Sequence, residues 1–543
     1  MRRRWAAALL APPVAFLAVF FVWPVVNIVG EGLRGDDGWD LSGVGDVLAD
    51  PALRQVAWFT FWQAAASTLL TLLVALPAAH VLARVEFPGR RIVQALVVVP
   101  FVLPTVVVGA AFVALLGPTS PVGLDLQGSV WGILAAHAFF NHAVVVRTVG
   151  GLWEGLDPRA EEAARMLGAS RGQAFRSVTL PALRPAIASA AAITFLFSFT
   201  SFGVVQILGG SARTTIEVEI YRQTAVLLDL PVASVLALLQ LAAVGAMLVV
   251  QDRLERRRGR QAVALRPSAR RKPWSGRERA WLVGNLVVMA GLLGAPLLTL
   301  VERSFRTADG GHGLAAWRAL GEASRGSGLF VAPVDAVANS LRFAAIATVV
   351  AVALGGMAAA ALARAEGRLA RLLDAVLLLP LGTSAVTVGF GFLIALDEPV
   401  DLRSSVALVP LAQAVVALPF VVRTMTPVLR SIDPRLHEAA AVLGASPARV
   451  WWSIDLPIVR RGVLVAAGFA FAISLGEFGA TTVIARADAP TVPVTIARLL
   501  GRPGPLSSGQ AFALSTVLMG LTAGAVLLVD RWRSRAGGRG GWV

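Results

Sequence analysis

The chain has 543 residues, of which 56% are hydrophobic and 15% are charged, and its mean hydropathy is +0.71. About a quarter of the residues in soluble chains are charged, so this composition excludes an ordinary soluble domain. The chain contains no cysteine, which excludes disulfides, thiolate metal sites and cysteine nucleophiles together. The net charge of +16 is spread over short loops beside apolar segments. Membrane topology and anionic lipid headgroups explain such basic loops without nucleic acid.

Twelve apolar runs, each of about 20 residues, follow one another along the chain. They lie near residues 6–29, 56–83, 92–116, 130–149, 186–208, 230–250, 280–301, 337–363, 372–396, 406–426, 463–484 and 511–529. A buried core helix would explain any one of these runs, but twelve in succession indicate membrane spans. We therefore predict an all-α polytopic membrane protein with twelve transmembrane helices.

Charged residues divide unevenly between the loops on the two sides of these spans. One alternate set of loops holds about three quarters of the 49 Lys and Arg residues but fewer than half of the 33 Asp and Glu residues. Because positively charged loops stay in the cytoplasm, this asymmetry predicts that both termini are cytoplasmic. The first run is longer than the apolar region of a signal peptide, roughly 7–15 residues, and we interpret it as a retained span.

The chain is a tandem repeat of two halves. Gly109 matches Gly389 at an offset of 280, and from Arg147, which matches Arg423, the offset is 276. Each half has an even number of spans, so the halves are parallel in the membrane rather than inverted. The predicted parts are a first domain at 1–255 (spans 1–6), a basic cytoplasmic linker at 256–279 and a second domain at 280–543 (spans 7–12).

One polar segment occurs in both halves with identical internal spacing, in an Arg-bearing loop between two apolar runs. The matching positions are Glu162-Ala163-Ala164, Gly168 and Val178-Thr179-Leu180-Pro181 in the first half, and Glu438-Ala439-Ala440, Gly444 and Ile454-Asp455-Leu456-Pro457 in the second. Two matching polar loops on one side of a membrane protein suggest two equivalent docking elements for a separate protein.

Each copy of this segment carries the signals of two short helices joined by a turn. Asp157-Pro158 and Asp433-Pro434 place a capping side chain before a proline at the first helical position. Gly168 and Gly444 stand where a left-handed residue ends a helix. Between them, small apolar residues recur at helical spacing, at Ala160, Ala163, Ala164 and Leu167 and at Leu436, Ala439, Ala440 and Leu443. We favour docking for this stripe; the alternative is that it packs on the chain's own spans.

The pattern Glu-Ala-Ala, then Gly, then Ile/Val-x-Leu-Pro resembles the EAA motif of the permease subunits of ATP-binding-cassette (ABC) importers. The resemblance covers essentially the whole chain as a fused pair of permease domains, and its closer likeness is to thiamine and ferric-iron importer permeases. It implies a type I importer permease fold of two parallel six-span halves. It also implies that the motif residues dock ATPase subunits, with the Glu side chains in polar contacts, the Gly residues at the bend and the Ala residues at the seam: Glu162, Ala163, Ala164, Gly168, Glu438, Ala439, Ala440 and Gly444.

The sequence carries no phosphate-binding loop of its own. Such a loop needs Gly-x-x-x-x-Gly-Lys-Ser/Thr, so that backbone N–H groups and the lysine hold phosphates, and the only lysine, Lys272, follows Arg271. We find no paired carboxylates, metal-ligand cluster or nucleophile–base grouping in the sequence. We therefore predict a transport component rather than an enzyme, with no catalytic residue, metal or cofactor, and with ATP hydrolysis on a separate subunit.

Few polar residues lie within the apolar runs. Glu477 is the one carboxylate well inside an apolar run, away from its ends, and its first-half counterpart is Ser201. Intramembrane acids line a cavity or find a partner, so two interpretations stay open. Either Glu477 faces a translocation pathway with Ser201, Phe202 and Phe478, or it caps a helix break near the outer surface.

The spans also contain His80, His137, Asn141 and His142. For each of them, hydrogen bonding between helices is favoured over contact with a solute.

Together these features predict an ABC importer permease of the bacterial plasma (inner) membrane that moves a small solute into the cytoplasm. The expected partners are two copies of a cytoplasmic ATPase, an extracytoplasmic solute-binding protein and the lipid bilayer, but no nucleic acid. The solute stays open between thiamine, its phosphates and ferric iron. The alternative is a twelve-span secondary transporter driven by an ion gradient, which should carry acidic and basic residues deep in several spans.

Overall fold

The structure is a computed structural model that describes residues 2–35, 38–39, 42–210, 212–258, 272, 275–307, 309–322, 331–365, 367–397 and 401–535. Most of the linker predicted at 256–279 lies outside these residues. In the first half, the elements in chain order are α1 (Arg2–Leu17), α2 (Trp23–Leu33), β1 (Arg34–Gly35), β2 (Gly38–Trp39), α3 (Ser42–Ala49), α4 (Pro51–Arg84), α5 (Arg90–Val102), α6 (Thr105–Leu116), α7 (Val130–Gly155), α8 (Arg159–Met166), α9 (Arg171–Ala174), α10 (Leu180–Phe199), α11 (Gly203–Leu208), α12 (Ile216–Arg222) and α13 (Leu230–Arg258).

The second half repeats this order of elements. They are α14 (Gly276–Met289), α15 (Ala295–Ser304), α16 (Ala315–Arg318), α17 (Pro333–Arg364), α18 (Gly367–Leu378), α19 (Ala385–Ala395), α20 (Leu408–Arg430), α21 (Pro434–Val442), α22 (Pro447–Val450), α23 (Leu456–Gly476), α24 (Gly479–Ile484), α25 (Val492–Leu500) and α26 (Pro505–Arg535). Short π-helical segments join some of these helices, at Ala18–Val22, Phe175–Thr179, Gln223–Leu227, Ala290–Gly294 and Trp451–Asp455, and 3-10 turns occur at Ala319–Gly321 and Leu379–Gly382.

Ten helical stretches in the described residues are long and apolar enough to cross a membrane. A further pair, α5 and α6, meets that test only together and is bent by 106° at Leu103-Pro104, since proline cannot continue a helix. The ninth predicted span, 372–396, divides among α18, a 3-10 turn and the 11-residue α19. The all-α multi-pass fold is therefore confirmed, but the count of twelve is not exactly confirmed, since the described residues contain ten such helices, or eleven with the bent pair.

The chain folds into two compact units. The first-half unit comprises Val47–Glu219 and Leu239–Arg306, and the second-half unit comprises Met1–Asp46, Ile220–Leu238 and Thr307–Val543. Within the first-half unit, α14 and α15 pack on α4 and α6; within the second-half unit, α1 and α2 pack on α17 and α19. The first span of each sequence half thus belongs to the unit built mainly by the other half. The boundaries 1–255, 256–279 and 280–543 describe the sequence repeat and stay a prediction.

Helix α4 shows the side-chain pattern that a bilayer imposes. Gln63, Ser67 and Thr71 lie on its buried face, whereas Trp58 and Leu73 are exposed. This arrangement reverses that of a soluble helix, because lipid is apolar and helices in membranes associate through small residues and hydrogen bonds. With α7 and α10, α4 forms the central bundle of the first-half unit, as α17, α20 and α23 do in the second-half unit.

Two matching glycines allow helices within each unit to approach closely. On α6, a Cβ added to Gly109 would lie 2.8 Å from Ile207 Cδ1 of α11. On α19, a Cβ added to Gly389 would lie 2.7 Å from the carbonyl oxygen and 2.8 Å from the Cα atom of Ala480 in α24. The side chain of Ile207 can shift to relieve such a contact, but the backbone at Ala480 has less freedom to move.

We predict that Gly389→Ala lowers the free energy of unfolding by about 1–3 kcal/mol, the usual cost of an overpacked contact, and that Gly109→Ala lowers it less. Thermal unfolding of the two purified variants in detergent measures the difference. An equal loss in both, or a larger loss in Gly109→Ala, would contradict the assignment of the tighter backbone contact to α19 and α24.

Candidate functional site

The first duplicated loop, residues 157–181 and here named the first EAA loop, contains the two short helices that its sequence predicts. Helix α8 ends at Met166, and Gly168 follows with φ of +93°. The Gly168 N–H donates to Arg165 O at 3.0 Å, and the Ala169 N–H donates to Ala164 O at 3.1 Å. These bonds close the helix around a left-handed glycine, and α9 begins directly after this turn.

The second EAA loop, residues 433–457, repeats this backbone turn. Helix α21 ends at Val442, Gly444 has φ of +72°, and its N–H donates to Ala441 O at 3.0 Å. The Ala445 N–H donates to Ala440 O at 2.9 Å. A Cβ added at either glycine would meet no atom within 4 Å, so the backbone conformation, and not lack of space, favours glycine there.

Side chains fix where the helices of both loops begin. Asp157 Oδ1 accepts from Arg159 N at 3.0 Å, and Asp433 Oδ1 accepts from Arg435 N at 2.9 Å. Helix α21 therefore begins at Pro434, as predicted, while α8 begins one residue later than its counterpart. Ser170 forms a capping box at the start of α9. These local bonds give the two loops the same course despite different sequences.

The motif residues of both loops are mostly accessible. Glu162 and Glu438 are exposed, and so are Ala163 and Ala439. Ala164 is half-buried, whereas Ala440 is buried. The stripe is thus largely uncovered in the first loop, and in the second loop part of it packs against the chain itself.

Each first helix ends in two apolar side chains that project into solvent. We name Met166 with Leu167, and Val442 with Leu443, the apolar tips. Their exposed fractions are 89%, 89%, 88% and 85%. Large apolar side chains that are almost fully exposed at matching positions indicate surfaces that bind another protein.

Glu477 lies at the break between α23 and α24 and is only 6% exposed. Its Oε1 accepts from Ala480 N at 2.8 Å and its Oε2 accepts from Thr481 N at 3.0 Å. Both carboxylate oxygens are therefore engaged by the first turn of α24, which would otherwise have free N–H groups. Of the two interpretations left open by the sequence, this geometry supports the helix cap.

The other residues predicted for a pathway lie in the same pair of breaks. Ser201 and Phe202 connect α10 to α11, and Phe478 follows Glu477; all three are buried within their units. The first turn of α11 has no side-chain cap. The first-half break is stabilised differently, since Gln63 Nε2 on α4 donates to Ser198 O at 2.8 Å.

The sequence did not reveal a pair of matching hydroxyls that hold the next short helices. Thr60 Oγ1 on α4 accepts from Ile216 N, the first residue of α12, at 2.9 Å. Ser340 Oγ on α17 accepts from Val492 N, the first residue of α25, at 2.8 Å. The signal was present, because Thr60 and Ser340 match at the offset of 280, but a threonine or serine in an apolar run does not show which amide it reaches.

A polar network lies in the bundle of the first-half unit. Ser67 Oγ and His137 Nδ1 are 2.9 Å apart, and Asn141 Nδ2 donates to Ser198 Oγ at 3.3 Å. The prediction of bonds between helices is confirmed for His137 and Asn141. At the positions of Ser67 and Asn141 the second half has alanine, at Ala347 and Ala417, so the network belongs to one half only.

The comparisons with known proteins agree with the duplicated architecture. A family described as "Binding-protein-dependent transport system inner membrane component" matches twice, at residues 72–260 and 351–534. The thiamine transport system permease protein ThiP of Brucella abortus (strain 2308) is 31% identical over 540 residues, 95% of this chain and 94% of that protein. ThiP of Escherichia coli (strain K12) is 28% identical over 84% of this chain and 85% of that protein. The sulfate transport system permease protein CysT of Salmonella typhimurium is 36% identical over 39% of this chain and 86% of that protein.

We predict that Glu477→Ala lowers the free energy of unfolding by about 1–3 kcal/mol, because two buried amides lose their acceptor. Glu477→Gln keeps one acceptor oxygen and should lose less. The matched control is Ser201→Ala at the counterpart position, which should change stability least of the three. Thermal unfolding in detergent ranks the variants. A Glu477→Ala protein as stable as the unmodified chain would show that the cap does not stabilise α24.

Proposed function

The chain belongs to the family of binding-protein-dependent transport system inner membrane components, and from this premise we propose that its two EAA loops dock the ATPase subunits. As a permease of this family it is the membrane-spanning transport component of an ABC importer in the bacterial inner membrane. Permeases of this kind operate with ATPase subunits and a solute-binding protein. ATP hydrolysis occurs on those separate subunits, and the ion-driven alternative is not favoured.

The observation that carries this proposal is the matching backbone turn in both loops, with a glutamate and an apolar pair exposed at the same positions of each. Both turns place an exposed glutamate, Glu162 or Glu438, about one helical turn before an exposed apolar tip. A tip of this kind fits an apolar cleft on a partner, and the glutamate adds a polar contact at its rim. Two such surfaces support two ATPase copies, one on each loop, with both loops and both termini in the cytoplasm.

Within each proposed docking surface the residues have different tasks. The alanines, Ala163 and Ala439 among them, keep the helix face flat enough for close contact. Gly168 and Gly444 set the direction in which the chain leaves the first helix. The resemblance to the importer permeases assigns Ala164 and Ala440 the same role as Ala163 and Ala439.

We predict that Glu162→Gln combined with Glu438→Gln lowers ATP-driven uptake on the order of tenfold, equivalent to about 1.4 kcal/mol of lost interaction. The reason is loss of polar contacts to the ATPase, so less ATPase should co-purify. The control is Ser177→Ala with Ser453→Ala, which removes two exposed, matching hydroxyls from the same loops. Normal co-purification and normal uptake by the glutamate variant would overturn the docking assignment.

The same proposal predicts that both loops face the cytoplasm. The chain contains no cysteine, so a single introduced thiol reports the side of the membrane on which it lies. Met166→Cys and Val442→Cys each introduce a single thiol at an apolar tip. A membrane-impermeant maleimide should label both in inside-out vesicles only, and bound ATPase should block the reaction. Val122→Cys, an exposed position in the opposite set of loops, should label only in right-side-out vesicles. Labelling of Met166→Cys from the outside would exclude cytoplasmic docking.

We infer that the solute is thiamine or one of its phosphates. The support is that thiamine transport system permeases align with 95% and 84% of this chain, at 31% and 28% identity. Ferric iron, the other solute type of the importers that the sequence resembles, has less support. The breaks at Ser201-Phe202 and Glu477-Phe478 are proposed to border the route that the solute takes.

We predict that proteoliposomes containing the full complex, with binding protein outside and ATP inside, accumulate labelled thiamine, and that excess unlabelled thiamine abolishes the signal. A proton or sodium gradient without ATP should drive no uptake, because the energy comes from the ATPase subunits. Uptake of labelled ferric iron instead of thiamine would refute the solute assignment. Gradient-driven uptake without ATP would refute the importer mechanism.

A further inference from the structure

A hydrogen bond joins the first helix of each EAA loop to the residue that precedes the next long helix. In the first loop, Thr179 Oγ1 donates to Glu161 Oε2 at 2.8 Å. In the second loop, His437 Nε2 lies 2.6 Å from Asp455 Oδ1. Glu161 matches His437 and Thr179 matches Asp455 at the offset of 276. The same two positions are therefore bonded in both halves.

The chemistry of the two bonds is reversed. In the first loop the carboxylate is on α8 and the donor precedes α10; in the second loop the carboxylate precedes α23 and the imidazole on α21 donates to it. Both residue types differ between the halves, yet the contact is kept. This pattern indicates that the loops require the contact itself, and not a particular side chain.

Burial makes both bonds costly to break. Thr179 is 5% exposed and Asp455 is 1% exposed, while their partners on the short helices are half-buried. Removal of a hydrogen-bond partner from a buried hydroxyl or carboxylate is unfavourable, because water cannot replace the lost bond there. Each bond therefore resists rotation of the short helix away from the chain that follows.

The position of the bonds gives them a mechanical role. The covalent route from α8 to α10 passes through the left-handed turn at Gly168, α9 and the π-helical segment Phe175–Thr179. The Glu161–Thr179 bond bypasses this route and connects α8 directly to the start of α10. His437–Asp455 connects α21 to the start of α23 in the same way.

We propose that Glu161–Thr179 and His437–Asp455 are positioning pairs that lock each ATPase-docking helix to the long helix following it, so that movement of the docked ATPase reaches the membrane spans. This inference rests on the proposed docking of the ATPase at the EAA loops. None of the four residues is one of the Glu-Ala-Ala or Gly positions assigned to docking. Their loss should therefore impair coupling while the ATPase stays bound.

The first test puts two carboxylates at each contact. Thr179→Asp faces Glu161, and His437→Glu faces Asp455, and like charges at such distances repel. In the complete complex with ATPase and binding protein, each variant should reduce ATP-driven thiamine uptake roughly tenfold, as expected when a buried group loses its partner. The ATPase should still co-purify, and the ATP hydrolysed per thiamine transported should rise.

The second test exchanges the pairs between the halves. Glu161→His added to Thr179→Asp installs the second-loop pair in the first loop, and Asp455→Thr added to His437→Glu installs the first-loop pair in the second. Both double variants should recover uptake to within about twofold of the unmodified complex, because each restores a donor facing a carboxylate. Recovery would not occur if the four side chains acted separately, since each double variant carries two substitutions instead of one.

Matched controls separate the pairs from the loops in general. Ser177 and Ser453 match at the same offset, and each donates to a carbonyl four residues earlier in its own loop; Ser177→Ala and Ser453→Ala should leave uptake unchanged. Thermal unfolding shows whether each charged variant is folded. If one is not, Thr179→Val and Asp455→Asn provide milder variants, because they add no repelling charge. They should raise the ATP hydrolysed per thiamine in the folded complex.

The outcomes distinguish this inference from the docking proposal. Folded single variants with normal uptake, or impaired single variants that the exchanged pairs do not rescue, overturn the positioning role. Loss of ATPase from the single variants also overturns it, because the pairs would then act in docking. Failure of the unmodified loops to bind ATPase would overturn docking itself, irrespective of the pairs.

Discussion

Inside a bilayer no water can satisfy a free backbone group, so every break in a span needs a partner from within the protein. Four of the described helix ends meet this constraint through different side chains. Gln63 serves the carbonyl at the end of α10, and Glu477 serves the amides that open α24. Thr60 and Ser340 each hold the first amide of a short helix. Each unit can therefore contain these short helices in its interior with the bonded backbone groups satisfied. Such bonds lower the free-energy cost of interrupting a membrane span.

The two halves show which features stayed the same after duplication and which diverged. The turns at Gly168 and Gly444 have the same hydrogen bonds, since backbone conformation determines the direction of the docking helix. The bonded pairs Glu161–Thr179 and His437–Asp455 differ in both side chains, although the contact occurs in both halves. The polar network around Asn141 occurs in one half alone. The two loops thus have the same backbone turn but different charged residues.

Local signals made much of the backbone of the two EAA loops predictable. The capping Asp433, the proline after it and Gly444 act over a few residues, and the structure places them as the sequence indicated. The span count was less predictable, because Pro104 sharply bends one apolar run that composition alone treats as continuous. The partner of Thr60 lies 156 residues away, and a single sequence contains no information on such pairings. The role of Glu477 could not be chosen in advance, since it depends on the geometry of a break that hydropathy does not show.

The membership of α1 in the second-half unit has a consequence for biogenesis. Helix α1 ends at Leu17, whereas its packing partner α17 begins at Pro333, about 300 residues later in synthesis. At roughly 5–20 residues per second, α1 waits on the order of 15–60 s for its neighbour. During that interval its inward face must be covered by lipid or by the insertion machinery. The second-half unit therefore needs a helix that was synthesised long before the rest of it, and a ribosome that stalls midway leaves α1 without its packing partner.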